Sequence, residues 1–92
     1  MSLPIEPLAT GSVTIAGESV PIASLSRADV IRLAGMGDNP EDAETLMIAH
    51  GTGVSDDEAR AWRTKVDAKT AERLLDAVAV LSGIRTAKPG KA

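Results

Sequence analysis

Seven of the thirteen acidic residues fall between Met36 and Glu58, a stretch without a single Lys or Arg. Such a run could hold a cation. Measured against a calcium loop beginning at Asp38, however, position three is Pro40, position six is Ala43 and position twelve is Ala49. The glycine and the bidentate glutamate that the loop requires are missing. The acids suit instead the positive ends of helix dipoles. Gly35-Met36-Gly37 and Gly51-Thr52-Gly53 could each cradle a phosphate on backbone N–H groups, but neither follows a strand or leads into Gly-Lys-Ser/Thr. Both come just after a helical pattern, where glycine is wanted for a left-handed stop. His50 is the lone imidazole, and no Ser and acid stand at a spacing that implies a triad. It reads as a cation favoured at a helix C-terminus. The absence of cysteine removes thiol catalysis, disulfides and Cys-based zinc sites. No catalytic residue, metal ligand or cofactor is expected, and the chain reads as non-enzymatic.

Binding chemistry is the remaining class. Lys65, Lys69 and Arg73 stand at i, i+4 and i+8 across a short corner between two helical patterns. A helix-turn-helix of this kind would lay Lys69 and Arg73 on DNA, although Glu72 and Asp76 interrupt the stripe and a solvated face is the plainer reading. The net charge of −3, a pI near 5.0 and the absence of Phe and Tyr all weigh against nucleic acid. The candidate protein-binding residues are Met47, Ile48 and Trp62. Methionine adapts to irregular surfaces, and a lone tryptophan sharing a helical face with Ala59 and Val66 anchors either the core or a partner.

The elements that must position these residues follow from periodicity and caps. At 92 residues and 43% hydrophobic, the chain makes one domain with an aliphatic core. Residues 1–12 read as an irregular arm with two prolines, of which Met1-Ser2-Leu3 resembles a leader added in cloning. Val13–Ile15 and Val20–Ile22 form a hairpin around Ala16-Gly17-Glu18-Ser19. Pro21 makes its strand an edge, and two strands alone must lean on something apolar. Four helix starts follow, capped by Ser26, by Asn39 before Pro40, by Ser55 and by Asp67. Leu25/Val30, Val54/Ala59 and Val66/Ala71 stand at staple spacing around three of them. The second helix is expected to stop at His50-Gly51, the third near Lys65 and the fourth at Gly83. Ala71, Leu74, Leu75, Val78 and Leu81 make the fourth helix the expected centre of the core. The fold class is therefore mainly α, about four short helices with an N-terminal β-hairpin over 13–84, and a basic flexible tail over 85–92. Apolar runs are too short for a membrane span or signal peptide, which points to a soluble intracellular domain.

Two strings also look familiar: Gly51-Thr52-Gly53-Val54-Ser55-Asp56-Asp57-Glu58-Ala59-Arg60-Ala61-Trp62, and Leu74-Leu75-Asp76-Ala77-Val78-Ala79-Val80-Leu81-Ser82-Gly83-Ile84. With the Ser26-Arg27-Ala28-Asp29 helix opening, the chain over about residues 12–84 resembles the tail assembly chaperones of long-tailed, siphovirus-type phages or prophages of actinobacteria. The resemblance implies a non-enzymatic cytoplasmic protein of the host cell that binds the tape measure protein and is absent from the finished virion. It also implies a programmed −1 frameshift adding an extension that engages the tail tube protein. Pro89-Gly90-Lys91, if encoded CCG-GGA-AAA, would supply the slip heptamer G-GGA-AAA; the plainer reading is an ordinary terminus. An unrelated intracellular adaptor remains an alternative, and self-association is left open.

Overall fold

The computed structural model describes residues 3–84; Met1, Ser2 and the tail from 85 on, with its candidate slip site, lie outside them. Two strands, β1 (Thr10–Ile15) and β2 (Glu18–Ala23), precede four helices: α1 (Arg27–Ala34), α2 (Pro40–Thr52), α3 (Asp56–Lys65) and α4 (Ala68–Leu81). The fold is mainly α with an N-terminal antiparallel hairpin, as the periodicity leads one to expect.

The hairpin is longer and its turn tighter than the sequence suggests. Pairing runs from Thr10↔Ala23 to Ile15↔Glu18, so residues 10–12 belong to β1 rather than to the arm. Only Ala16 and Gly17 turn, with φ of 53° and 82°. Positive φ at both central residues is the geometry whose twist matches paired strands, and Glu18 and Ser19 are thereby freed to pair with Ile15 and Thr14. The open end is closed by Ser24, whose N–H donates to the Ala9 carbonyl (2.8 Å) while its Oγ accepts from the Ala9 N–H (3.1 Å). Both strands are edges, where Pro21 is tolerated.

All four caps form. The side chains of Ser26, Asn39, Ser55 and Asp67 accept from the N–H groups of Asp29, Asp42, Glu58 and Lys69, satisfying donors that each helix start leaves open. The helix ends depart from expectation in two places. Gly35 is right-handed (φ −77°), and α1 finishes by tightening into i→i+3 bonds, Gly35 N–H to the Arg32 carbonyl and Met36 N–H to that of Leu33. The second helix does not stop at His50-Gly51 but runs to Thr52 and ends on Gly53, whose φ is 85°.

Gly51 is instead buried inside α2 because α4 crosses there. A Cβ on Gly51 would lie 2.7 Å from Val78 Cγ2 and 3.1 Å from Cγ1. The core comprises Ile22, Leu25, Leu46, Ile48, Ala49, Ala59, Leu74 and Val78. Its central element is α2 rather than α4: α2 packs against α1, α3, α4 and β2 and buries Thr45, Leu46, Ile48, Ala49 and Gly51. Consecutive apolar residues spread around α2, so it shows no stripe, which is the pattern of a helix enclosed by neighbours. The end of α4 is tied to the β2–α1 connection by Ser82, whose Oγ accepts from the Leu25 N–H (2.8 Å) and donates to the Val78 carbonyl (2.7 Å).

Gly51→Ala tests the crossing. In an open helix the change would gain about 1 kcal/mol. Here it should cost about 1–3 kcal/mol, because valine is stiff at χ1 and cannot swing aside. In a Val78→Ala background the same change should be neutral or stabilising, read from urea denaturation of the four proteins in a double-mutant cycle. An equal loss in both backgrounds would show that Val78 is not the obstacle.

Candidate functional site: an apolar cleft at Trp62

A mainly apolar opening lies where the turn end of the hairpin stands over the helices. Its volume is about 310 Å³. Ile15, Ala16 and Val20 form the hairpin wall, Thr52 is at the end of α2, Val54 in the α2–α3 connection, and Trp62 forms the α3 wall. Ile48 and Leu74, each 2% exposed, form the floor. Two exposed acids, Glu18 and Glu58, stand among the lining residues. Local sequence explains the arrangement. Ser55 starts α3, and Ala59, fully buried, lets that helix lie close on the core. Trp62, one turn further along the same face, is left half-buried at the edge of the gap.

The structure thus brings together two of the three expected partner-contact residues and alters the role of one. Trp62 is a wall of the cleft. Ile48 is not a surface contact but its floor, because α2 is enclosed by its neighbours. Met47 is half-buried against the core and lies outside the cleft. Ile15, Val20 and Val54 were not singled out from the sequence. The signal was present in the hairpin's need for apolar support and in the Val54/Ala59 staple.

Three acids of the acidic stretch, Glu41, Asp42 and Glu44, meet Arg60 and Arg63 between α2 and α3. Arg63 Nε donates to Glu44 Oε1 at 2.7 Å and its NH1 lies 3.8 Å from Glu41. Arg60 lies 4.0 Å from Asp42 and 3.9 Å from Asp57. The basic stripe is not gathered into one surface. Arg73 donates from NH2 to the Thr14 carbonyl (3.1 Å), bracing β1. Lys69 lines an opening of about 550 Å³ together with Glu44, Arg63, Glu72 and Asp76; Arg63 is taken up by Glu44, and the remaining acids oppose a phosphate backbone. Lys65 is exposed at the end of α3 and lines neither opening. Moreover, α3 and α4 each pack on α2 more than on each other, unlike a recognition helix seated on its partner.

His50 faces α1. Its Nδ1 lies 2.8 Å from Asp29 Oδ2, and since an ionised carboxylate only accepts, Nδ1 carries the hydrogen. Burial opposes ionisation of Asp29, but the hydrogen bond and charge of His50, with smaller help from Ser26 and Arg32, hold its carboxyl below the ordinary value of 3.8. An Asp–His pair can orient a general base. Thr45 offers the one hydroxyl in the adjoining cleft of about 250 Å³, and it is buried and already donates to the Glu41 carbonyl (2.8 Å). Among the described residues no group of three or more His, Asp or Glu is placed to hold a metal, and no helix is long and apolar enough to cross a membrane.

No family model, no curated protein and no solved structure matches the chain.

The Asp29–His50 contact predicts a pH dependence of fixed sign. A carboxyl whose native pKa is depressed stabilises the fold above its unfolded pKa and loses that contribution as pH falls through the native value. The stability difference between the parent protein and Asp29→Asn, from urea denaturation, should be full at pH 6 and shrink progressively below about pH 4. A difference that grows on acidification would contradict the assignment.

Proposed function

We propose that this domain is a non-enzymatic binding module that takes a short apolar segment of a partner protein into the Trp62 cleft. The observation that supports this most is the combination of a half-buried aromatic wall with a floor of Ile48 and Leu74. Such anchors carry most of the energy in recognition of apolar segments. Glu18 and Glu58 favour a segment with Lys or Arg beside its apolar residues. The partner we propose is the tape measure protein of a long-tailed phage, whose apolar helices the domain would mask in the host cytoplasm until tail assembly. A frameshifted extension would add contact with the tail tube protein. The phage assignment rests on the sequence resemblance over about residues 12–84, carried by residues 26–29, 51–62 and 74–84; the cleft supports only the class of interaction. The DNA-binding reading is weakened by the engagement of Arg73 and by the acids around Lys69.

The two readings separate on salt. Co-purification with a phage tape measure protein should persist between about 50 and 500 mM salt, because burial of apolar surface is not screened. Trp62→Ala should weaken it by about 2 kcal/mol, roughly 30-fold. Tight binding of a DNA duplex that falls steeply with salt and is lost in Lys69→Ala/Arg73→Ala would overturn the proposal.

A further inference from the structure

The segment before the hairpin, Leu3-Pro4-Ile5-Glu6-Pro7-Leu8, carries the two most exposed large apolar side chains among the described residues, Ile5 at 92% and Leu3 at 85%, together with Leu8 at 51%. It forms no helix or strand, yet its root is fixed by the paired bonds between Ala9 and Ser24. Two prolines three residues apart bias it to the polyproline conformation, with three residues per turn and about 3.1 Å per residue. In that conformation Ile5 and Leu8 fall on one face, about 9 Å apart, while Pro4 with Pro7 and Leu3 with Glu6 occupy the other two. An extended, pre-organised segment with one aliphatic face is the kind of ligand that aromatic-lined grooves take. The Trp62 cleft is such a groove on this same chain.

We propose that the Pro4–Leu8 arm of one copy seats Ile5 and Leu8 in the Trp62 cleft of a second copy, and that reciprocal exchange makes a two-fold dimer. The chain's own cleft is out of reach. It lies at the turn end of the hairpin, whereas the arm leaves from the Thr10 end, six residues or about 17 Å away along β1. The six residues from Leu3 to Leu8 span about 20 Å at full extension. Doubling back from Ala9 would use that length in the reversal and the return, leaving neither Ile5 nor Leu8 at Trp62. In a second copy the direction of approach is unrestricted. Reciprocity favours exchange as well, because in a two-fold dimer each copy gives one arm and receives one, so the contact is made twice. The cleft, about 310 Å³, is at the small end of ligand sites, which run to about 1,000 Å³, and suits two aliphatic side chains. Glu6, on another face of the arm, is turned from the acids Glu18 and Glu58.

The exchange uses the same cleft as the functional reading but needs no partner beyond this chain, so the failure of either leaves the other to be judged separately. Trp62 is the sole tryptophan, and its emission reports the cleft directly. Sedimentation of the full chain over a concentration series should show a monomer–dimer equilibrium, with Trp62 emission moving to the red on dilution. Ile5→Asp/Leu8→Asp should weaken the dimer at least tenfold and give the red-shifted emission at every concentration, with the circular dichroism of the fold unchanged. Ile31→Asp, at a 58% exposed position on α1, should leave the dimer intact. Three results would overturn the proposal: a monomer up to millimolar concentration, a dimer that survives the arm substitutions, or a dimer abolished by Ile31→Asp alone. A monomer whose emission shifts on arm substitution would place the arm in its own cleft and would overturn it equally.

Discussion

The close approach of α2 and α4 at Gly51 and Val78 sets the distances that the rest of the fold inherits. A missing Cβ on one helix admits both methyls of a valine on the other, so the axes come together at a point where any side chain would hold them apart. With that crossing fixed, Leu46, Ile48 and Ala49 on α2 meet Leu74 and Val78 on α4 in one continuous core. The remaining elements then attach to α2 or to the end of α4. Helix α3 lies against α2 through Ala59 and the Arg63–Glu44 pair. The β2–α1 connection is held by the Ser82 hydroxyl, which joins residues 57 positions apart.

The cleft is a consequence of this order of attachment. Ile22, one residue from the end of β2, is buried in the core, and the Ser24–Ala9 bonds fix the same end of the hairpin. The turn end stands over the helices, with β1 braced by Arg73 of α4. Ile15 and Val20 therefore overhang Ile48 and Leu74 without closing on them, and Trp62 is too large to be covered by either side. Arg60 and Arg63 are taken up by acids of α2, and the charged groups that line the cleft are Glu18 and Glu58. Its walls and floor are otherwise largely apolar, the surface that an apolar segment would cover.

Local signals in the sequence were strong enough to place the elements. The caps Ser26, Asn39, Ser55 and Asp67 each form the bond that their spacing suggests, because a cap depends on neighbours two or three residues away. Features that depend on distant partners were read less well. Gly51 looked like a stop because a glycine near a helix end usually is one; only the approach of Val78, 27 positions later, shows that it is a contact. The same non-locality hid the role of α2, whose unbroken apolar run carries no periodicity, and favoured α4, whose stripe is plain. Ile48 and Trp62 were picked out without the hairpin residues that complete the cleft, since no spacing within one strand says which helix it will face.

Native-state hydrogen exchange tests the claim that α2, held at its crossing with α4, is the element on which the others depend. The amides of Leu46–Gly51 should exchange only through global unfolding, with protection equal to the unfolding free energy from urea denaturation, while the hairpin and α1 open at lower cost. Gly51→Ala should lower protection across α2 and α4 together. If α2 exchanged through local opening while α4 or the hairpin kept the slowest amides, the account would be contradicted.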